Sequence, residues 1–423
     1  MSVRSIFFSQ SVTDFLYMFF SNTFQKVLGL IRELIIAFFL GSSILYANFL
    51  LLRVVADFFS QITAGNALRA NLLPKFTKLY QKHKKVSLDQ IFVFSKRNSI
   101  YLFFISQIIQ LAVIFYLNIQ DNLLFFALSL ILSLSICFNF INTIFLTIIQ
   151  ARGLFLKYSY ASLTNSLVFT LVIYPLISII SIIGLATSRL IGIFSMSFAF
   201  VRPMQNENIG TKIKLEHSDF NFPTLVLGNF ANIILISSRF VSGSDGSNSI
   251  TFFMYAVVIL NALLTAVIGN VSTILLRNIS IKKNTRLIIY SLLVSFFVGV
   301  AMMIGLHFFS YDIIKFVYLR GAFNLSDVQQ TSVYLSQLSF SFLLLFIATI
   351  LFQPFLSLPI VETKEIRFKL AITFILALLF FVCIVFFISF SPKTKALVVM
   401  YSSSFTALVL ACYSYIKYLN NEK

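Results

Sequence analysis

Lys26, Arg32 and Glu33 stand inside QKVLGLIRELIIAFFLG, residues 25–41, an apolar run long enough to cross a membrane. A Lys, Arg or Asp at a helix centre costs about 2.5–3.5 kcal/mol on insertion, while each Leu, Ile, Phe or Val returns about 0.3–0.6. With Glu counted like Asp, three ions cost on the order of 9 kcal/mol and the fifteen Leu, Ile, Val and Phe residues from 15 to 40 return about 7. Such a helix must turn its charged side to protein or water, and ions kept at that cost mark a site. The chemistry on offer is anion recognition. Guanidinium binds phosphate through paired, charge-assisted hydrogen bonds, and ammonium binds it as a point charge.

Three more ions lie within apolar runs. Arg53 and Asp57 are four apart in the second, a spacing at which helical side chains meet, and Arg189 lies in the sixth. Lys26 and Glu33 are seven apart and share a face of the first, with Arg32 about a third of a turn away. Two readings stay open. In one, Lys26 neutralises Glu33 and Arg53 neutralises Asp57, as structural pairs between packed helices. In the other, a water-filled cavity receives an anionic substrate on the surplus: Lys26, Arg32 and Arg53 against Glu33 and Asp57 leave one positive charge over, and Arg189 adds a second unless it snorkels.

The elements that carry these ions must be membrane helices. Over 423 residues the chain is 59% hydrophobic and 11% charged, with 52 Phe and a mean hydropathy of +0.93, which excludes a soluble domain. Twelve runs are long enough to span, near 15–40, 44–66, 98–117, 123–149, 161–179, 182–201, 222–241, 250–276, 287–309, 330–352, 368–391 and 396–416. With both termini inside, 23 of the 32 basic residues fall in inner segments and five, Arg239, Lys315, Arg320, Lys393 and Lys395, in outer ones. This is the positive-inside bias, so the net charge of +18 reports topology and membrane-lipid contact rather than a nucleic-acid partner. The expected architecture is all-α, a polytopic membrane protein of about twelve transmembrane helices in two six-helix bundles around a central cavity. PMQNENIGTKIKLEHSDF, 203–220, is the cytoplasmic linker between lobes 1–202 and 221–423. Gly65-Asn66 and Gly269-Asn270 hint at a repeat of the halves.

Other chemistry is sparse. Polar residues of the later spans, such as Asn261, Asn270, Ser272 and Gln353, suit helix-to-helix hydrogen bonds. Cys137, Cys383 and Cys412 stand singly and read as reduced core residues, and His83, His217 and His307 have no second ligand at metal spacing. There is no Walker A loop, GxSxG or HExxH, so neither an enzyme nor a metal or cofactor is expected. The first span is long and charge-bearing, so no cleaved signal peptide is expected.

Three regions carry a resemblance to a family. NTFQKVLGLIRELIIAFFLGSS, with the second span ending AGNALRANLLPKFTKLY, resembles the start of the MurJ (MviN) lipid II flippases of the multidrug/oligosaccharidyl-lipid/polysaccharide (MOP) exporter superfamily. VYLRGAFNLSDVQQTSVYLSQLSF, 317–340, is similar to that family's outer loop and following span, with Arg320, Gly321, Ala322 and Phe323 as its signature. MYAVVILNALLTAVIGNVSTILL, 254–276, is similar to the eighth span. The resemblance implies a monomeric flippase in the bacterial cytoplasmic membrane. Its substrate would be a lipid-linked oligosaccharide, polyprenyl-pyrophosphate-bound, carried through a central cavity by alternating access for cell-envelope synthesis. The resemblance casts Lys26, Arg32 and Arg53 as pyrophosphate ligands and Glu33 and Asp57 as supporting ion-pair residues. Energy would come from the membrane potential or a monovalent cation, since no ATP site is present. Arg32-Glu33 matches an Arg-Asp pair of the family, and Lys26 stands where Arg is usual. Ala47 replaces an Asp, Ser60 an Arg, Gly65-Asn66-Ala67-Leu68 a Glu-Gly-Ala-Phe, and Val257-Val258 an Asp-Arg pair. Arg53, seven residues before Ser60, shares its face as a displaced substitute. The multidrug exporters of the superfamily are the nearest rival; a cationic-drug pocket needs exposed acids, which the positive surplus opposes. A membrane glycosyltransferase or ligase would need larger outer loops, and a non-transporting scaffold would tolerate loss of Arg32.

Overall fold

Long apolar stretches with polar breaks become long helices, because backbone groups in hydrocarbon must be satisfied within their own segment. A computed structural model describes residues 10–64, 72–73, 75–77, 80, 88–117, 119, 122–201, 221–262, 285–358 and 360–421. The helices are α1 (Gln10–Leu40), α2 (Ile44–Ala64), α3 (Leu88–Tyr116), α4 (Asn122–Ala151), α5 (Phe155–Met196, running into a π-helical turn at Ser197–Val201), α6 (Phe222–Gly228) and α7 (Phe230–Ser242). They continue with α8 (Ser249–Ala262), α9 (Thr285–Tyr318), α10 (Leu325–Ser357), α11 (Ile360–Phe387) and α12 (Pro392–Asn421). No strand occurs among the described residues. The linker at 203–220, the end of the eighth run and both Gly-Asn pairs lie outside them.

Eight of these helices are long and apolar enough to cross a membrane, and α6 with α7, bent by 72°, makes a ninth if the pair is one span. The chain is therefore a multi-pass, all-α membrane protein. Helix α1 is not among the eight, because its apolar stretch holds Lys26, Arg32 and Glu33. Helix α5 holds two of the expected spans. Its helical angles fail at Ile180 and Ser181, where Ser181 takes φ 48°, and the chain folds back there. A Cβ on Gly184 would lie 2.1 Å from the Leu176 carbonyl oxygen, and one on Gly192 would lie 2.9 Å from that of Asn165. With Ser188 buried between them, these small residues let the two limbs of α5 touch backbone to backbone.

The chain divides into two compact units, Met1–Phe39 with Val55–Asn221, and Leu40–Val54 with Phe222–Lys423. In the first, α3 and α4 are joined by a buried amide and hydroxyl cluster. Gln107 Nε2 donates to Ser129 Oγ at 2.7 Å, Gln110 Nε2 to Ser133 Oγ at 3.1 Å, and Ser133 Oγ to Gln107 Oε1 at 3.1 Å. Asn142 of α4 donates to the Ile193 carbonyl and accepts from Ser197, fastening the end of α5.

In the second unit the start of α10 is a capping box: Asn324 Oδ1 accepts from the Asp327 amide and Asp327 Oδ2 from the Asn324 amide, each at 3.0 Å. The end of α10 is closed by Arg367 of α11, 1% exposed. Its Nη2 donates to the Leu356 and Leu358 carbonyls at 3.2 and 2.8 Å and to that of Phe355 at 3.5 Å. Its Nε and Nη1 donate to Thr363 and Thr224 at 2.8 and 3.0 Å. A cation thus satisfies carbonyls that α10 leaves without intrahelical partners. Cys383 and Cys412 are free and exposed on α11 and α12 rather than in the core. An apolar span presents thiols to lipid as readily as to protein, so hydropathy alone misplaced them. Cys137 is half-buried and donates to the Ser99 carbonyl.

Candidate functional site

Two of the candidate cations lie on α1, in the first unit. Helix α1 runs beside the first limb of α5 on a ladder of polar contacts. Ser21 donates to the Ser159 carbonyl at 3.2 Å, Ser162 to Gln25 Oε1 at 2.8 Å, and the rings of Phe39 and Tyr174 meet at 5.5 Å. Residue numbers rise together on both helices, so the first and fifth spans are parallel, as odd-numbered spans must be. Arg32 is a rung of this ladder. Its Nη1 donates to Ser166 O and Oγ and to Thr170 Oγ1 at 3.2, 3.3 and 3.4 Å, and its guanidinium carbon lies 4.6 Å from the centroid of Phe169. These three hydrogen bonds share one nitrogen, Nη1.

Lys26 is half-buried on the Glu33 face of α1. The expected Lys26–Glu33 neutralisation is absent: among the described residues the Lys26 ammonium makes no hydrogen bond or ion pair. Seven residues of helix separate the two groups by about 10.5 Å of rise, too far for one to reach the other. Glu33 itself is buried.

On α2, Arg53 is half-buried, and the division between units falls just after it, so Arg53 belongs to the second unit and Asp57 to the first. Asp57 receives Arg189 from the second limb of α5: Nη2 donates to Asp57 Oδ1 at 2.8 Å, with side chains 21% and 17% exposed. Arg189 is therefore neutralised within the bundle instead of adding to the surplus. We expect Asp57→Ala to destabilise the protein by up to about 3 kcal/mol, the lower end for a broken buried pair since both groups are partly accessible. Asp57→Ala with Arg189→Leu should recover most of it, as read by thermal unfolding in detergent.

The family-signature turn is in the second unit. Arg320 Nη2 donates to the Phe316 carbonyl at 3.2 Å, Gly321 takes φ 57°, and Phe323 is buried against Tyr255 and Tyr318. Against it sits the α1–α2 turn. Tyr255 donates to the Gly41 carbonyl at 2.9 Å, and Ser42 donates to Asp327 Oδ1 at 2.6 Å, the oxygen its capping box leaves over. Gly41 has φ 51°, and a Cβ there would lie 2.5 Å from the Ala322 carbonyl oxygen. Gly41→Ala should cost about 1–2 kcal/mol for the left-handed backbone and about 1–3 more for overpacking. A lowered unfolding temperature, with a substitution at the neighbouring exposed Ile44, Ile44→Ala, as control, checks this.

Where the resemblance implies acids or bases that this chain lacks, the second unit is packed with apolar groups: Ala47 is fully buried and Val257 nearly so. Side chains in those places serve the core. Sequence reasoning missed two buried cations. Arg239, counted as an outer-segment residue, is buried in the last turn of α7, and Arg367, counted with an inner loop, caps α10. Polar neighbours in sequence, SSRFVSGS and VETKEIRF, disguised both. Among the described residues no group of His, Cys, Asp and Glu could hold a metal ion.

No protein-family model and no curated protein matches this chain. Solved structures do. A MurJ lipid II flippase in an inward closed conformation superposes with a TM-score of 0.77 at 20% identity, over 95% of this chain and 87% of that one. A multidrug-resistance MATE family transporter of the MOP superfamily, in an inward-facing conformation, gives 0.66 at 10% identity over 94% and 95%. A MOP superfamily transporter from Pyrococcus furiosus, described as having a binding pocket of reversed polarity, gives 0.59 at 11% identity over 96% and 94%. The chain has the fold of the MurJ and MATE transporters of the MOP superfamily.

Proposed function

We propose that this protein is a flippase for polyprenyl-pyrophosphate-linked glycans, lipid II or a related unit, working by alternating access. The observation that carries this reading is Lys26, a half-buried ammonium in a membrane helix with no partner among the described residues. Lipid does not reward such a charge, whereas a bound anion does. Arg32 lies six residues on in the same helix with its guanidinium braced by Ser166, Thr170 and Phe169, a posture that suits a fork for phosphate. The likeness to a lipid II flippase supports the same class of cargo. In the cycle, Lys26 and Arg32 bind the pyrophosphate from the inner leaflet, access alternates from inside to outside, and the headgroup is released outside while the tail stays in the bilayer. The protein performs no bond chemistry and uses no cofactor. The membrane potential, worth about 2.3 kcal/mol per charge per 100 mV, or a cation gradient drives it.

Complementation tests this. Bacteria depleted of their own lipid II flippase should grow when this chain is expressed and fail with Lys26→Ala at a matched membrane level. Growth supported equally by Lys26→Ala would remove the cation from the mechanism. Failure of well-inserted wild type would remove lipid II and leave the related glycans.

A further inference from the structure

A groove of about 420 Å³ runs between the first halves of α1 and α5, away from the proposed substrate cations. Tyr17, Phe20, Phe24 and Val27 form one wall and Leu156 and Tyr160 the other, all more than a third exposed. Helical spacing sets Lys26 away from the Phe20, Phe24 and Val27 face, so the groove is not part of the pyrophosphate site. Ser159 also lines it, buried, with its Oγ lacking a hydrogen-bond partner among the described residues. No basic residue lines the groove, but one exposed cation lies beside its α5 wall. Lys157, between Leu156 and Tyr160, is exposed and makes no hydrogen bond or ion pair among the described residues. Arg152, in the preceding turn, is turned onto Tyr80, donating from Nε to its hydroxyl at 3.2 Å.

We propose that this groove is a binding site for an anionic glycerophospholipid, one acyl chain lying between the aromatic walls and the phosphate meeting Lys157. The volume is that of sites for compact apolar ligands. Tyr17 and Tyr160 are residues that favour the level of lipid headgroups, with the ring in hydrocarbon and the hydroxyl in water. The charge beside the groove favours an anionic headgroup over a zwitterionic one, and the positive-inside arrangement puts it in the leaflet where anionic lipid faces the cytoplasm. The inference stands apart from the identity of the transported substrate.

The test uses the full chain in phosphatidylcholine nanodiscs doped with phosphatidylglycerol or phosphatidylethanolamine bearing the same photoactivatable acyl chain, with crosslinks mapped by peptide mass spectrometry. Labelling should fall on residues 17–27 and 156–163 and favour phosphatidylglycerol by about fivefold, the discrimination expected of one lysine at a membrane surface. Lys157→Gln should equalise the two lipids, and Val27→Trp, which fills the groove, should suppress both. Equal labelling of wild type by the two lipids, labelling spread over other helices, or a preference unchanged in Lys157→Gln would overturn the proposal. The wild-type map stands even if a variant fails to fold.

Discussion

Arg32→Ala is expected to abolish transport while leaving a protein that inserts and folds. Truncating one side of a desolvated charged contact costs about 2–5 kcal/mol, a loss of roughly 30-fold or more in affinity for the headgroup. The same change removes the rungs to Ser166 and Thr170. Interhelical hydrogen bonds in membranes average only about 0.6 kcal/mol each, so stability should fall far less than transport. Arg32→Lys separates the roles further: it keeps the charge, loses the fork and the stacking on Phe169, and should retain partial activity. Binding of a soluble pyrophosphate-bearing headgroup analogue, measured beside thermal unfolding of each variant, checks both halves. A loss of binding no larger than the loss of stability would make Arg32 a structural rung only.

Arg367→Ala should give the largest loss of stability in the second unit. Five hydrogen bonds from one guanidinium join α11, α6 and the end of α10. Its removal strands the Leu356 and Leu358 carbonyls in an apolar setting, where each unmet group costs about 1–3 kcal/mol. The total of about 3–5 kcal/mol matches the loss of one member of a buried charged cluster. Arg367→Lys cannot span Thr224, Thr363 and the carbonyls at once, so it should recover little. Heating detergent-solubilised variants and following the folded fraction by size exclusion measures the effect. Transport by the residual folded protein should be normal, since Arg367 lies outside the proposed cation site.

What could be read in the sequence divides along physical lines. Apolar runs and the placement of basic residues announce helices, order and class, because hydrocarbon allows few other solutions. Two of the regions that carry the family resemblance touch, with Gly41 against Ala322 and Ser42 on Asp327. Contacts across long separations were not legible. Spacing offered Asp57 a partner one turn away in Arg53, but nothing in it offered Arg189, which reaches Asp57 from 132 residues on. Nor did the heptad spacing of Lys26 and Glu33 make a pair, since sharing a face is not the same as touching. The turn at Ser181 sits inside SIISIIGL without a polar gap, yet the length of the apolar run placed it, between the expected spans 161–179 and 182–201. Arg239 and Arg367 look like loop cations because short polar stretches surround them, and only the packing reveals that they are buried.

The most direct measurement is translocation itself. The purified chain, reconstituted into liposomes, would be given a fluorescent polyprenyl-pyrophosphate glycan in the inner leaflet, with arrival outside read by an external quencher under an imposed membrane potential. Wild type should translocate the glycan, and Arg32→Ala and Lys26→Ala in folded protein should give background rates. Equal translocation by wild type and both variants would rule out the cationic site, and a wild-type rate no faster than that of empty liposomes would rule out flipping of this substrate.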